Sequence, residues 1–271
     1  NRRALVTVAS SDDGACHVST PGFGGADRFR ILDAVTNGVR PPYDIELDTS
    51  AFMSGGRKTG IGSSAALTVA LLAALEGSEN IYEAAMEAHS RLQQGAGSGI
   101  DVAAAVHGGL LEYRMPQRTV TRLEWPAGLA FRVIWTGVPA STEAQLSRLA
   151  GQASRPSRSA LLLAAPRSCE AWRSGDANGI LAEYVGYIGV QRQFSVDHDL
   201  GIFDAGHDEL TDAAMVDGLV YKPAGAGGGD VGMLFGRDEA ALDAFLERRA
   251  DLVCGVLPCD LEEDGVRLEA Q

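Results

Sequence analysis

The stretch GGRKTGIGSSAALTVALLAALE, residues 55–76, constrains the fold more than any other part of the chain. Gly55, Gly56, Gly60 and Gly62 crowd its first eight positions, and then no Gly, Pro or charge interrupts Ala and Leu until Glu76. A run that is apolar on every side belongs inside a protein, since a surface helix carries a polar stripe. The pattern therefore predicts a buried helix over 63–76, with Ser63 and Ser64 at its N-cap. The first-turn N–H groups of such a helix have no intrahelical acceptor, and its dipole adds positive character at that end. A glycine loop leading into it lets the backbone approach an anion closely, so a di- or triphosphate fits there.

The chain contains only two lysines, against 21 arginines, and both lie in glycine-rich segments. Lys58 is in the loop just described; Lys222 opens KPAGAGGGD, residues 222–230. A compact ammonium beside clustered backbone N–H groups suits phosphate. The first segment is not a Walker A loop, because Lys58 precedes Gly60 and Gly62 instead of following the last glycine. GIGSSA approximates a dinucleotide fingerprint, which would need a strand running straight into its first glycine. A purely structural helix cap is the blander alternative. For KPAGAGGGD the alternatives are a tight turn with a bulge, or close backbone contact with a ligand or with the first glycine loop.

The bulk composition narrows the function. With 36 acidic and 23 basic residues the net charge is −13, which disfavours a nucleic-acid or membrane-surface protein. Four scattered cysteines and five histidines show no metal-ligand spacing, so reduced thiols are expected. The apolar runs are too short to span a bilayer. Together these features place the chain in the cytoplasm. It starts at Asn1 inside what reads as a strand, and an upstream segment is expected.

Periodicity predicts strands over 4–10 and 44–52, with a loop over 20–25 and a short helix ending at Gly38 between them. An amphipathic helix over 81–95 closes at Gly95. A Gly-Ser-Gly entry then leads to an Ala-rich helix carrying Asp101. LLEYR, TVTRLEW and LAFRVIWTG read as strands of one largely antiparallel sheet. The stretch from Ser141 to about Val216 is mostly helical. A strand, the second glycine loop, a strand, a helix over 238–250 and a last strand near 252–258 follow. This order points to an α+β fold of two lobes with mixed or antiparallel sheets and a helical layer, divided into residues 1–140 and 141–271.

Two further places could carry chemistry. Asp101 is either an ordinary first-turn acid or a carboxylate aimed at a reacting centre. Ser141 and Thr142, after WTGVPA, are either a helix cap or hydroxyls that help to hold a second phosphate. His89 and His107 flank the Asp101 region, where core or surface roles are expected.

Taken together, GIGSSAA (60–66) and KPAGAGGGD resemble the second and third motifs of the GHMP kinases. DTSAF (48–52), KTGIGSSAALTVALL, GSGIDVAAAVHGG (97–109) and WTGVPAST are most similar to the phosphomevalonate kinase branch. The resemblance spans about residues 45–235. The family's first motif, a PGK-type segment with its own lysine, would lie upstream of Asn1.

The resemblance implies an ATP-dependent, Mg²⁺-requiring enzyme that phosphorylates a small phosphorylated or hydroxylated acid, with 5-phosphomevalonate the leading acceptor. It implies that Gly60, Ile61, Gly62, Ser63, Ser64 and Ala65 bind the nucleotide phosphates and that Ser64 ligates magnesium. Lys58 would neutralise charge and Asp101 would act near the acceptor. Ser98, Gly99, Ser141, Thr142, Lys222, Gly225, Ala226, Gly227 and Gly228 would bind substrate. The magnesium-ligating Glu of mevalonate kinase has no clean counterpart, Glu87 being off its spacing. Rival readings are a mevalonate or sugar kinase, the decarboxylase branch, a dinucleotide-dependent oxidoreductase and a non-catalytic homologue.

Overall fold

The computed structural model describes residues 1–21, 27–95, 97–153 and 155–269. The loop expected over 20–25 lies largely outside the described residues. The chain forms two compact units, Asn1–Arg122 with Asp260–Gln271, and Leu123–Cys259. The sequence boundary at 140 falls inside the second unit, because the strand over 130–135 pairs only with later strands. The C-terminal segment returns to the first unit, where the Gly109 amide donates to Glu262 O at 2.7 Å and Arg3 reaches the carbonyls of Asp264 and Gly265.

In the first unit, β1 (Leu5–Ser10), β2 (His17–Ser19) and β3 (Tyr43–Asp48) form a sheet in the order β1-β3-β2. β1 and β3 are antiparallel, with Val6 opposite Leu47 and Val8 opposite Ile45, and β2 runs parallel to β3. These alternating apolar residues face α1 (Asp27–Thr36), α2 (Ser63–Glu76), α3 (Tyr82–Leu92) and α4 (Ile100–His107). α2 is the central element: Ala65, Leu67, Val69, Leu71, Leu72 and Ala73 are all buried in this core. Burial on so many sides fixes where the first turn of α2 lies, and that turn is where the chemistry gathers. The helix before Gly38 and the one before Gly95 end as expected, both glycines taking positive φ.

β4 (Met53–Ser54) and β5 (Arg57–Lys58) form a minimal hairpin around Gly55 and Gly56, whose φ angles of 54° and 76° fit a type I′ turn. LLEYR and TVTRLEW supply β6 (Leu110–Arg114) and β7 (Thr119–Leu123), which pair with each other alone. The single sheet expected from these two and LAFRVIWTG is therefore two separate sheets.

In the second unit, β8 (Ala130–Trp135), β9 (Val220–Pro223), β10 (Val231–Gly236) and β11 (Gly255–Leu257) form an antiparallel sheet in the order β11-β8-β10-β9. The expected helical block comprises α5 (Thr142–Leu149), α6 (Pro156–Ser174), α7 (Ala177–Asp197) and α8 (His207–Val216), and α9 (Glu239–Arg248) follows β10. Proline at the start of α6 and the Asp176 side chain capping α7 set those two helix starts. Trp125, Trp172, Tyr184 and Phe235 pack edge-on and tilted in the core of this unit. Among the described residues no helix is long and apolar enough to cross a membrane.

Candidate active site

The β4–β5 hairpin delivers Lys58, and the chain is then pinned by Thr59. Its amide and Oγ1 both donate to Phe52 O, at 3.0 and 2.9 Å, and the side chain is fully buried. Gly60 and Gly62 follow with φ of 77° and 85°, a left-handed path that only glycine takes at little cost. Gly62, not a serine, is the N-cap of α2, and no side chain caps the helix. Ser63 and Ser64 are its first two residues, a correction that follows from geometry, since a serine cap needs extended backbone at its own position. The first helical bond is Ala66 N to Gly62 O at 3.0 Å, so Ser63, Ser64 and Ala65 keep first-turn amides without intrahelical acceptors. No acidic residue occupies that turn.

A cavity of about 170 Å³ adjoins this point, bounded by Arg30, Thr49, Lys58, Ser63, Ser64 and Gln93. Small-molecule pockets run roughly 300–1,000 Å³, so this one matches a phosphate-sized group better than a whole nucleotide. A shallower depression of about 580 Å³ on the three-stranded sheet, near Thr7, His17, Asp44 and Glu46, contains none of the glycine-loop residues. Volume alone would favour that depression; the chemistry favours the smaller cavity.

α4 brings a second helix start to the same place. Gly99 caps it with φ of 80°, Ser98 Oγ accepts from the Ile100 amide at 3.4 Å, and Tyr113 donates to Ser98 O at 2.7 Å. A methyl group on Gly62 would sit 3.7 Å from Asp101 Cβ, so the two helix entries touch. Asp101, one-third exposed, accepts from the Val102 amide at 3.0 Å. His89 projects from the buried stripe of α3, with its Nε2 3.3 Å from Ser64 Oγ and 3.9 Å from Asp101 Oδ2. Burial holds His89 below the ordinary histidine pKa, and the Asp101 carboxylate partly opposes that shift.

Ser64 and Asp101 thus offer two hard oxygens, the donor type magnesium takes when substrate phosphates and water complete its shell. Among the described residues no group of three His, Cys, Asp or Glu side chains is placed to hold a metal. Glu87 does not join the site: it is exposed and lies 3.8 Å from Arg91 on its own helix. The dinucleotide alternative fails on geometry, because the two-residue β5 precedes Gly60 where a strand of a main sheet is required.

In the second unit the glycine run is clamped by its own surroundings. Gly228 N donates to Ile202 O at 2.8 Å, Asp230 N to Val138 O at 2.7 Å, and Gln145 reaches Gly227 O at 3.1 Å. A Cβ on Gly227 would lie 2.5 Å from Ile202 O, and one on Gly229 2.6 Å from Val138 O. Close approach to protein backbone therefore accounts for most of the glycines. Gly225 and Ala226 form the outer tip, and among the described residues their amides have no protein acceptor. Ser141 is the N-cap of α5, accepting from the Ala144 amide at 3.2 Å, and Thr142 beside it is exposed. Lys222 donates to Pro223 O at 2.8 Å, lies 5.7 Å from the Tyr184 ring centroid, and is pushed down to about 8 by burial.

His207 ties this loop to the sheet. It is fully buried, with Nε2 3.0 Å from Gly229 O and Nδ1 2.8 Å from Tyr221 Oη. A carbonyl only accepts, so Nε2 carries the proton and Nδ1 accepts from the tyrosine. Burial, with Lys222 adding to it, lowers the His207 pKa from 6.5, while the Gly229 bond partly opposes. A lowered folded value means the contribution is complete above pH 6.5 and is lost as pH falls through the folded pKa. Urea midpoints of the parent should thus drop between pH 7.5 and 5 more steeply than those of His207→Gln; parallel curves would remove His207 from the acid response.

Residues 29–109 match the family of GHMP kinases N terminal domains. Over 249 residues the chain is 33% identical to a phosphomevalonate kinase of Streptomyces sp. (strain CL190), covering 79% of this chain and 66% of that protein. The family match makes residues 29–109 a GHMP kinase N-terminal domain. The chain spans just under two thirds of the Streptomyces relative's length. A mevalonate kinase of Methanothermobacter thermautotrophicus is 36% identical over 141 residues, 47% of this chain and 45% of that one. Among solved structures, Streptococcus pneumoniae phosphomevalonate kinase in complex with phosphomevalonate and AMPPNP superposes with a TM-score of 0.74. It is 17% identical and covers 93% of this chain and 88% of that one, so the GHMP fold extends over both units.

Within the first unit the structure brings together Lys58, Gly60–Ala65 and Asp101, with Ser98 and Gly99 at the entry to α4. Ser141, Thr142, Lys222 and Gly225–Gly228 belong to the second unit. His89, for which the sequence suggested a core or surface role, is buried as a core residue and also faces Ser64 and Asp101. Its signal was present: it occupies a buried position with Ala85, Met86 and Ala88 on an otherwise apolar face.

Proposed function

We propose that the protein is an ATP-dependent kinase that transfers the γ-phosphoryl group to 5-phosphomevalonate, giving 5-diphosphomevalonate. The observation that carries this reading is the uncapped, glycine-led start of α2 with Asp101 against it and Lys58 bounding the same cavity. The 33% identical phosphomevalonate kinase supports the choice of acceptor.

In this reading the amides of Gly60–Ala65 and the Lys58 ammonium hold and neutralise the nucleotide phosphates. Ser64 would hold a magnesium ion, with Asp101 beside it, and the ion would supply neutralisation of the phosphate charge. Phosphoryl transfer depends mainly on alignment and charge neutralisation. A phosphate-monoester acceptor has a second pKa of about 6 and arrives mostly deprotonated at neutral pH. Asp101 then orients the reacting groups and need not remove a proton. Ser98, Gly99, Ser141, Thr142, Lys222 and Gly225–Gly228 are assigned to substrate binding.

The partial match to a mevalonate kinase favours one second reading, phosphorylation of the mevalonate hydroxyl, in which Asp101 would serve as base. ADP release separates the two, measured with MgATP against mevalonate, 5-phosphomevalonate, 5-diphosphomevalonate and a sugar. The highest kcat/KM is expected with 5-phosphomevalonate, and turnover should stop when EDTA replaces magnesium. Preference for mevalonate would install the second reading. Absence of turnover with every acceptor would sink both.

A further inference from the structure

We infer that His89 is a positioning residue of this site, its Nε2–H donated to the Ser64 hydroxyl oxygen with the Asp101 carboxylate beside it; the inference rests on the kinase reading above. His89 is 2% exposed on a helix face otherwise made of Ala85, Met86 and Ala88. A buried imidazole costs free energy unless it is hydrogen-bonded. Its Nε2 faces oxygens from two other helices, Ser64 Oγ of α2 at 3.3 Å and Asp101 Oδ2 of α4 at 3.9 Å. One nitrogen thus faces both residues assigned to the cation and the acceptor.

The surroundings decide the tautomer. An ionised carboxylate only accepts, and a bare Nε2 would turn its lone pair toward that negative charge. With the proton on Nε2, both neighbouring oxygens face a donor. Ser64 Oγ then accepts from the ring, and its own hydroxyl proton and remaining lone pair stay available to a phosphate oxygen and a cation. The Ser64 carbonyl is occupied separately, by Thr68 Oγ1 at 2.8 Å, so the hydroxyl is the freely rotating group that His89 fixes. Without the imidazole, Ser64 samples other staggered rotamers and the Asp101 carboxylate loses the polar N–H that faces it at 3.9 Å.

The tautomer is read first, on the unliganded protein, by two-bond ¹H–¹⁵N NMR of the imidazole. Protonated Nε2 is expected, and a neutral ring protonated on Nδ1 overturns the inference whatever the enzyme does. In ADP-release assays with the preferred acceptor, His89→Leu should lower kcat by about 10- to 100-fold, the usual cost of removing a supporting partner of a metal ligand. His89→Gln, which keeps an N–H near the same place, should recover most of that loss. In a Ser64→Ala background, His89→Leu should cost clearly less than it does alone, because part of its effect passes through the serine. Unchanged kcat in His89→Leu, or losses that multiply fully in the double variant, would refute the assignment. If His89→Leu does not fold by circular dichroism, the tautomer and His89→Gln decide. A parent inactive with every acceptor defeats the kinase reading and leaves the tautomer result standing.

Discussion

Asp101→Asn should lower kcat by at least about a hundredfold, the scale seen when one charge-stabilising group is removed from an active site, while ATP affinity changes little. The substitution is close to isosteric. The Asn side-chain oxygen can still accept from the Val102 amide, as Asp101 does at 3.0 Å, so the start of α4 keeps its shape. The negative charge beside Ser64 and His89 disappears. ATP affinity is held by other groups, the first-turn amides of α2 and Lys58, which the substitution leaves in place. The loss should therefore fall on kcat with 5-phosphomevalonate and spare the dissociation constant of the nucleotide, measured by isothermal titration. Turnover equal to the parent would remove Asp101 from the mechanism. A parallel collapse of ATP binding would make it a structural or nucleotide-binding group instead.

The parts of this architecture written in local pattern were legible in the sequence. α2 was, because an apolar run from Ser63 to Glu76 has no solvent face, and so were the helix ends at Gly38 and Gly95, where the backbone takes φ of 81° at both. Non-local pairings were not legible. Nothing within LLEYR, TVTRLEW and LAFRVIWTG says that the first two close on each other while the third joins strands nearly a hundred residues later. The return of Glu262 and Gly265 to the first unit likewise depends on bonds between distant segments, from the Gly109 amide and the Arg3 side chain, that no local pattern announces. At the candidate site, the glycine loop and Asp101 stood out in local pattern and in the family resemblance, whereas His89 did not. A histidine on an apolar stripe has many ordinary explanations, and only the meeting of three helices shows which oxygens it faces. The α2 cap was misread for a related reason, whereas Ser141 does cap α5 as its position suggested. Serine is the commoner way to open a helix, but a left-handed glycine at 62 admits the chain by a different path and leaves both serines inside the first turn.

That same distinction between glycines that pack and glycines that present themselves gives the second large effect. Gly227→Ala should destabilise the second unit by about 3 kcal/mol or more, combining a left-handed penalty of roughly 1–2 kcal/mol with overpacking of roughly 1–3. Its φ is 72°, and the added methyl would meet Ile202 O at 2.5 Å and Ile202 Cγ2 at 2.6 Å. Neither can withdraw easily, since that carbonyl accepts the Gly228 amide and Ile202 is buried in the core of the unit. Gly225→Ala is the matched comparison: φ is 61°, but no atom lies within 4 Å of the added methyl. It should lose only about 1 kcal/mol, the left-handed penalty alone. All three tryptophans, Trp125, Trp135 and Trp172, belong to this unit, so tryptophan fluorescence follows its thermal unfolding. At about 2–4 °C per kcal/mol for domains of this size, Gly227→Ala should melt roughly 6–12 °C below the parent and Gly225→Ala only about 2–4 °C below. Gly225→Ala should instead show its effect in the KM for the acceptor, because the tip amides at 225 and 226 are among the groups assigned to it and have no protein acceptor among the described residues. Equal melting temperatures for the two variants would mean that the close contact with Ile202 does not govern the loop, and the glycine run would then have to be explained by ligand contact alone.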